Sequence, residues 1–231
     1  MQRAGREDVA GESAPCLPGS IEARGISKTF RRRRRGSAGL APVTLDVGPG
    51  EVCAIVGPNG CGKTTALRIL AGLATPSSGR ALLCGHDVVA DPGAAYRLVG
   101  LSLGSVRSFY WRLTAGQNLA FFGRLAGMRG RAIRDGISEL AAALGLESVV
   151  NEPVRFLSRG ALARLSVARA LLPSRPVALL DEPLSAVDAQ GRAAIVETLR
   201  SAAGGGAAIL VTAQEREEVV WCDRIYAAPT G

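Results

Sequence analysis

The chain has 231 residues, 47% hydrophobic and 21% charged, with a formal net charge of +8. That composition supports one sizeable core and excludes wholesale disorder; no apolar stretch is as long as a membrane span, and the N-terminus lacks the basic-then-apolar layout of a signal peptide. The five cysteines (Cys16, Cys53, Cys61, Cys84, Cys222) are odd in number and form no C-x-x-C pair; with His86 the one histidine, they argue against zinc and for free thiols in a reducing compartment.

Residues 1–19 mix Gly, Pro, Ser and charges without periodicity and are expected to be disordered. Ile21–Phe30 and Val43–Val47 read as short strands joined by the run Arg31–Arg35. This run is read as a solvated loop, with anionic lipid head groups or nucleic acid as sharper alternatives. No aromatic residues interleave it, which argues against nucleic acid. Val52–Val56 is an apolar run suited to a buried strand, and Lys63–Leu73 has apolar residues at helical spacing. Short strands are expected around 80–84 and 98–103. Residues 114–145 read as helix, as do 160–172 and 189–203. Val177–Leu180 and Ala207–Val211 read as strands. Strands alternating with helices indicate a parallel sheet, and the strandless block from about 105 to 165 reads as an inserted helical subdomain.

Gly57-Pro58-Asn59-Gly60-Cys61-Gly62-Lys63-Thr64 fits G-x-x-x-x-G-K-[ST] between a predicted strand and a predicted helix. Its glycines let successive backbone N–H groups turn inward onto phosphate oxygens, and the helix N-terminus adds positive potential. Lys63 should reach the β- and γ-phosphates, Thr64 should ligate Mg²⁺, and Thr65 can donate to a phosphate. Val177–Leu180 runs into Asp181-Glu182. Asp181 at the strand tip can hold Mg²⁺, while strand alternation turns Glu182 the other way, toward a water in line with the γ-phosphate.

Over residues 21–228 the sequence resembles the ATP-binding subunit of ATP-binding cassette (ABC) transporters. Beyond the phosphate loop, LSRGALARLSVARALL (157–172) resembles the family's signature, LLDEP (179–183) its second Walker segment, and LSAVD (184–188) its site-linking loop. The resemblance implies an α/β fold: a P-loop NTPase with a mostly parallel sheet core, a small antiparallel β subdomain and the inserted helical subdomain, all within residues 20–231. It implies that Phe30 stacks on adenine, that two subunits dimerise around ATP, and that Ser158 and Gly160 contact the γ-phosphate held by the partner. Ser158, just before a predicted helix, can also be read as a simple N-cap. The implied setting is peripheral, on the cytoplasmic face of the membrane, bound to a transmembrane permease subunit.

Two departures stand out. Where the family has a glutamine after its third strand, this chain reads Val99–Ser105, with Gly104 in that region. Ala213 falls where the family has its switch histidine, so hydrolysis by Glu182 and Lys63 is expected to be slow. The neighbouring Gln214 is the side chain that could reach in instead, although alternation at the strand end argues for its facing away from that position. The segment Arg107–Thr114 looks like one found in drug and polysaccharide exporter ATPases. Its three consecutive aromatics, Phe109-Tyr110-Trp111, cannot all face inward, so at least one is expected to be exposed for docking. The rival readings are a cassette that binds ATP and closes without productive hydrolysis, and a soluble ABC protein acting on nucleic acid or ribosomes.

Overall fold

The computed structural model describes residues 19–31, 37–104 and 108–228. Residues 1–18 and 32–36, which cover most of the expected disordered segment and of the arginine run, lie outside the described residues, as do 105–107. Strands β1 (Ile21–Arg31), β2 (Ser37–Val47), β4 (Ser78–Leu83) and β5 (His86–Asp87) form an antiparallel sheet in the order β2-β1-β4-β5. Strands β3 (Val52–Val56), β6 (Val99–Ser102), β7 (Val177–Leu180), β8 (Ala208–Ala213) and β9 (Arg224–Ala227) form a second sheet in the order β6-β7-β8-β3-β9. Every pairing in this second sheet is parallel.

The helices are α1 (Lys63–Leu70), α2 (Pro92–Leu98), α3 (Ala115–Leu125), α4 (Gly130–Ala143), α5 (Arg159–Leu171) and α6 (Ala189–Gly204). Alternation along the central strands explains why their sequences are continuously apolar. Val52, Ala54, Ala178, Leu180, Ile209 and Val211 face a core shared with the helices from α3 to α6. Their neighbours Cys53, Ile55, Val177, Leu179, Ala208 and Leu210 face a second core around α1 and the antiparallel sheet. A parallel strand buried on both faces needs apolar residues at every position.

The elements differ from the sequence expectations where local signals were weak or competing. The stretch 114–145 is two helices, because Gly127 adopts φ +90° and Gly130 opens α4 at φ +43°. Gly72, at φ +71°, likewise follows an α1 that ends at Leu70 rather than Leu73. β2 starts at Ser37 rather than Val43 because it pairs with β1 out to Arg31. Pro42 is tolerated there because β2 is an edge strand. β8 extends two residues beyond Val211, to Ala213. The short elements α2, β5 and β9 were not expected. α2 carried a signal in Asp91-Pro92: the Asp91 carboxylate accepts from the Ala94 N–H at 3.0 Å, and proline stands at the first helical position.

Between β6 and β7 the described chain is helical. Thr114 caps α3 reciprocally with Gln117, which confirms that Gln117 belongs to a helix. Phe109 is buried at 4% exposure, whereas Tyr110 and Trp111 are about half exposed, so the aromatic triplet divides between core and surface. The Arg169 guanidinium lies 4.9 Å from the Phe109 ring centroid and 5.0 Å from that of Phe122, tying α5 to this cluster.

Candidate functional site

The strand order builds the site. β8 lies between β7 and β3, so the carboxyl ends of three adjacent strands carry Asp181-Glu182, Thr212-Ala213-Gln214 and the glycine loop side by side. In an open parallel sheet this is the edge where ligands bind. The register sets Val56 of β3 opposite Ala213, and Leu180 of β7 opposite Val211.

The loop leaves β3 at Gly57, whose N–H donates to the Ala213 carbonyl at 3.3 Å. Gly60 at φ +86° and Gly62 at φ +106° give it a left-handed path that other residues resist. A Cβ on Gly62 would also lie 2.8 Å from Cδ1 of Leu40. Pro58, Asn59 and Gly60 are exposed, and Cys61 and Thr65 are partly so. Lys63, only 5% exposed, folds its ammonium back onto the loop, donating to the carbonyls of Gly57 at 2.6 Å and Pro58 at 3.2 Å.

The Thr64 hydroxyl donates to Asp181 Oδ2 at 2.7 Å, and the Thr212 hydroxyl donates to Oδ1 of the same carboxylate at 2.6 Å. Thr212 Oγ1 in turn accepts from the Glu182 N–H at 2.9 Å. One buried hydroxyl therefore braces two consecutive acids. Thr212 was not singled out from the sequence; its signal was a lone hydroxyl at the end of the apolar run Ala208–Val211. The Thr64 hydroxyl and Asp181 carboxylate are hard oxygen donors of the type Mg²⁺ takes, so this set fits that ion.

Glu182 does not follow strand alternation, because β7 ends at Leu180 and Glu182 sits at φ +47°. A non-glycine residue in the left-handed region costs energy and persists where its surroundings hold it. Its carboxylate lies 3.7 Å from the Lys63 ammonium through Oε1 and accepts from Gln214 Nε2 at 3.1 Å through Oε2. Thus Asp181 and Glu182 do have different surroundings, by a sharp turn rather than by the pleat. Gln214 also departs from expectation. It lies beyond the last residue of β8, so the pleat no longer directs it, and its side chain reaches into the site. Gln214 Oε1 accepts from Asn59 Nδ2 at 3.2 Å. Ala213 is buried at 3% exposure and lines a small crevice with Glu182, Leu184, Glu218 and Trp221.

The remaining expected residues are distributed around this centre. Phe30, 45% exposed, lies on the β1–β2 ribbon two residues from Lys28, which pairs with Leu40, the neighbour of Gly62. Ser158 is the N-cap of α5, its hydroxyl oxygen accepting from the Ala161 N–H at 3.1 Å. A Cβ on Gly160 would sit 3.4 Å from the Ala186 carbonyl, so the start of α5 packs closely on the Leu184–Asp188 loop. Within this chain neither Ser158 nor Gly160 has a bond to the phosphate loop among the described contacts. Gly104, at φ +60°, has no side chain to offer and backs onto the Asp181 carbonyl.

Residues 40–185 match the family described as ABC transporter. The chain is 35% identical over 205 residues to the probable multidrug ABC transporter ATP-binding protein YbhF of Escherichia coli, covering 89% of this chain and 35% of YbhF. It is 37% identical over 211 residues to the spermidine/putrescine import ATP-binding protein PotA of Frankia alni, covering 90% of this chain and 45% of PotA. The chain thus spans roughly a third to a half of the length of these relatives. The fold is similar to that of the ATP-binding cassette MJ0796, solved as a dimer in a post-hydrolysis state with ADP and Pi. That match has a TM-score of 0.81 and 24% identity, over 90% of this chain and 94% of the other.

Proposed function

The chain belongs to the ABC transporter family, whose ATP-binding cassettes are ATPases, and from that premise we propose that it is the ATP-hydrolysing subunit of an exporter, driving a separate membrane-spanning subunit. The observation that carries this reading is the contact of Thr64, at the start of α1, with Asp181, which Thr212 of β8 braces from the other side. It gathers oxygen donors suited to Mg²⁺ beside a loop built to wrap phosphate.

In this reading the loop N–H groups and Lys63 hold the triphosphate, Lys63 exchanging the Gly57 and Pro58 carbonyls for phosphate oxygens. Phe30 stacks on the base, and Thr65 donates to a phosphate. Mg²⁺, held by Thr64 and Asp181, would neutralise charge on the phosphates. Glu182 accepts a proton from, or orients, the water that attacks the γ-phosphorus, and the bond to the β–γ bridging oxygen breaks to give ADP and phosphate. Ser158 and Gly160 act on the nucleotide of a second subunit. The relatives are named for both multidrug transport and polyamine import. Export is favoured by the Arg107–Thr114 segment; the half-exposed Tyr110 and Trp111 suit a docking surface for the membrane subunit, which supports a peripheral setting at the cytoplasmic face. Among the described residues no helix is long and apolar enough to cross a membrane.

A second reading, an ATP-gated clamp with slow hydrolysis, is favoured by the methyl side chain of Ala213 and the bare Gly104. Turnover by the purified chain, with Thr64→Ala and Glu182→Gln as controls, tests the first reading. The clamp predicts weak turnover that Ala213→His raises by about tenfold or more, equivalent to ~1.4 kcal/mol of barrier.

A further inference from the structure

We propose that Gln214 is a positioning residue for Glu182, fastening the proposed general base to the phosphate loop through a relay Asn59–Gln214–Glu182. This rests on the proposed ATPase reading and adds a residue to it.

The relay is directional. An ionised carboxylate only accepts hydrogen bonds, so Glu182 Oε2 selects the amide nitrogen of Gln214, at 3.1 Å. That choice turns the amide oxygen toward Asn59, whose Nδ2 donates to it at 3.2 Å. The Gln214 amide, with a donor and an acceptor on one planar group, makes both bonds in this order. The backbone beneath is held as well: the Gln214 N–H donates at 3.3 Å to Oε2 of Glu218, a residue of the turn Arg216–Val219.

Glu182 needs such a hold. Its backbone is fixed by φ +47° and by the Thr212 hydroxyl, yet its side chain is 28% exposed and has flexible torsions. Lys63 constrains one oxygen through a 3.7 Å ion pair, but that ammonium is the group expected to move onto phosphate. Once it does, Gln214 is the remaining described side chain that holds the carboxylate. The relay also joins Glu182 to Asn59, so the base is located relative to the loop that carries the γ-phosphate. A misplacement of about 1 Å in such a group can cost on the order of 100-fold in rate.

The test uses the full chain and Gln214→Met, which keeps the length of the side chain and removes both amide functions. Gln214 is exposed, so its loss should leave the folded state intact, which thermal denaturation checks. The relay predicts that kcat falls about 10- to 100-fold while KM and the affinity for a fluorescent ATP analogue stay within about threefold. Asn59→Ala, which releases the far end, should give a smaller loss of the same kind. In the Glu182→Gln background, Gln214→Met should add nothing, because its effect passes through that carboxylate. Wild-type kcat in Gln214→Met, with turnover still lost in Glu182→Gln, overturns the relay and leaves the ATPase reading standing. Losses that simply multiply in the double variant also overturn it. Wild-type turnover in Glu182→Gln removes Glu182 as the base and overturns the relay with it; wild-type turnover no higher than that of Thr64→Ala overturns the ATPase reading itself.

Discussion

The Thr212 hydroxyl donates to Asp181 Oδ1 at 2.6 Å from a side chain only 1% exposed, and the same oxygen accepts the Glu182 N–H at 2.9 Å. Thr212→Val keeps the shape and removes both bonds. It leaves a buried amide and a carboxylate oxygen unsatisfied, a cost of about 1–3 kcal/mol for such a group. The melting temperature should fall by several degrees, at roughly 2–4 °C per kcal/mol for a domain of this size. Thr212→Ser should restore most of it. Circular dichroism melts measure the stability change, and Mg²⁺ dependence of ATP binding measures the effect on Asp181.

The loop glycine at 62 combines φ +106° with a neighbour that any side chain would strike. Gly62→Ala should therefore distort the start of α1 and weaken ATP binding by about tenfold or more, since a left-handed conformation alone costs on the order of 1–2 kcal/mol. Equilibrium titration with a fluorescent ATP analogue reads this directly. Gly60, where a Cβ would meet nothing within 4 Å, should tolerate alanine better.

How far the sequence foretold these arrangements depended on the kind of signal. The buried strands Val52–Val56 and Val177–Leu180 were legible to the residue, because burial on both faces leaves an unbroken apolar run between polar turns. The strand–loop–helix path around Gly57–Gly62 was legible because its glycines answer to one local geometry, with Gly60 and Gly62 at positive φ between β3 and α1. The pleat failed as a guide at Glu182 and Gln214, since both lie just past strand ends, where a positive φ and a tight turn decide direction. Thr212 was silent because its role depends on β8 lying between β7 and β3, a long-range order that residue spacing does not encode.

The three aromatics in sequence have separable effects. Phe109→Ala should destabilise the protein by about 3–5 kcal/mol, because the ring is buried against Phe122 and Arg169. Tyr110→Ala and Trp111→Ala should leave stability and ATP binding nearly unchanged and reduce co-purification with the membrane subunit. Wild-type recovery of the complex by both variants would remove this surface from the docking site.

Burial pushes the Cys222 thiol up to about 12, against an ordinary value of 9.0, so the folded protein keeps that proton where the unfolded chain releases it. Its contribution to stability is complete below about pH 9 and is lost as pH rises toward 12. Cys222→Ala should flatten the decline in melting temperature across that alkaline window. At pH 8 a thiol reagent should modify the partly exposed Cys61 well before Cys222, and Mg-ATP should protect Cys61 because it lies within the phosphate loop. Mass spectrometry of the labelled peptides separates the sites.

In the proposed mechanism Glu182 acts on the water that attacks ATP. The most direct measurement is phosphate release by the purified chain with saturating Mg-ATP, wild type against Glu182→Gln, alongside ATP binding by both. A general base contributes about 100- to 10,000-fold, so release should fall by at least about 100-fold in the variant while ATP binding is retained. Equal release from the two proteins would rule out Glu182 as the base, and release that persists without Mg²⁺ would rule out the metal role of Thr64 and Asp181.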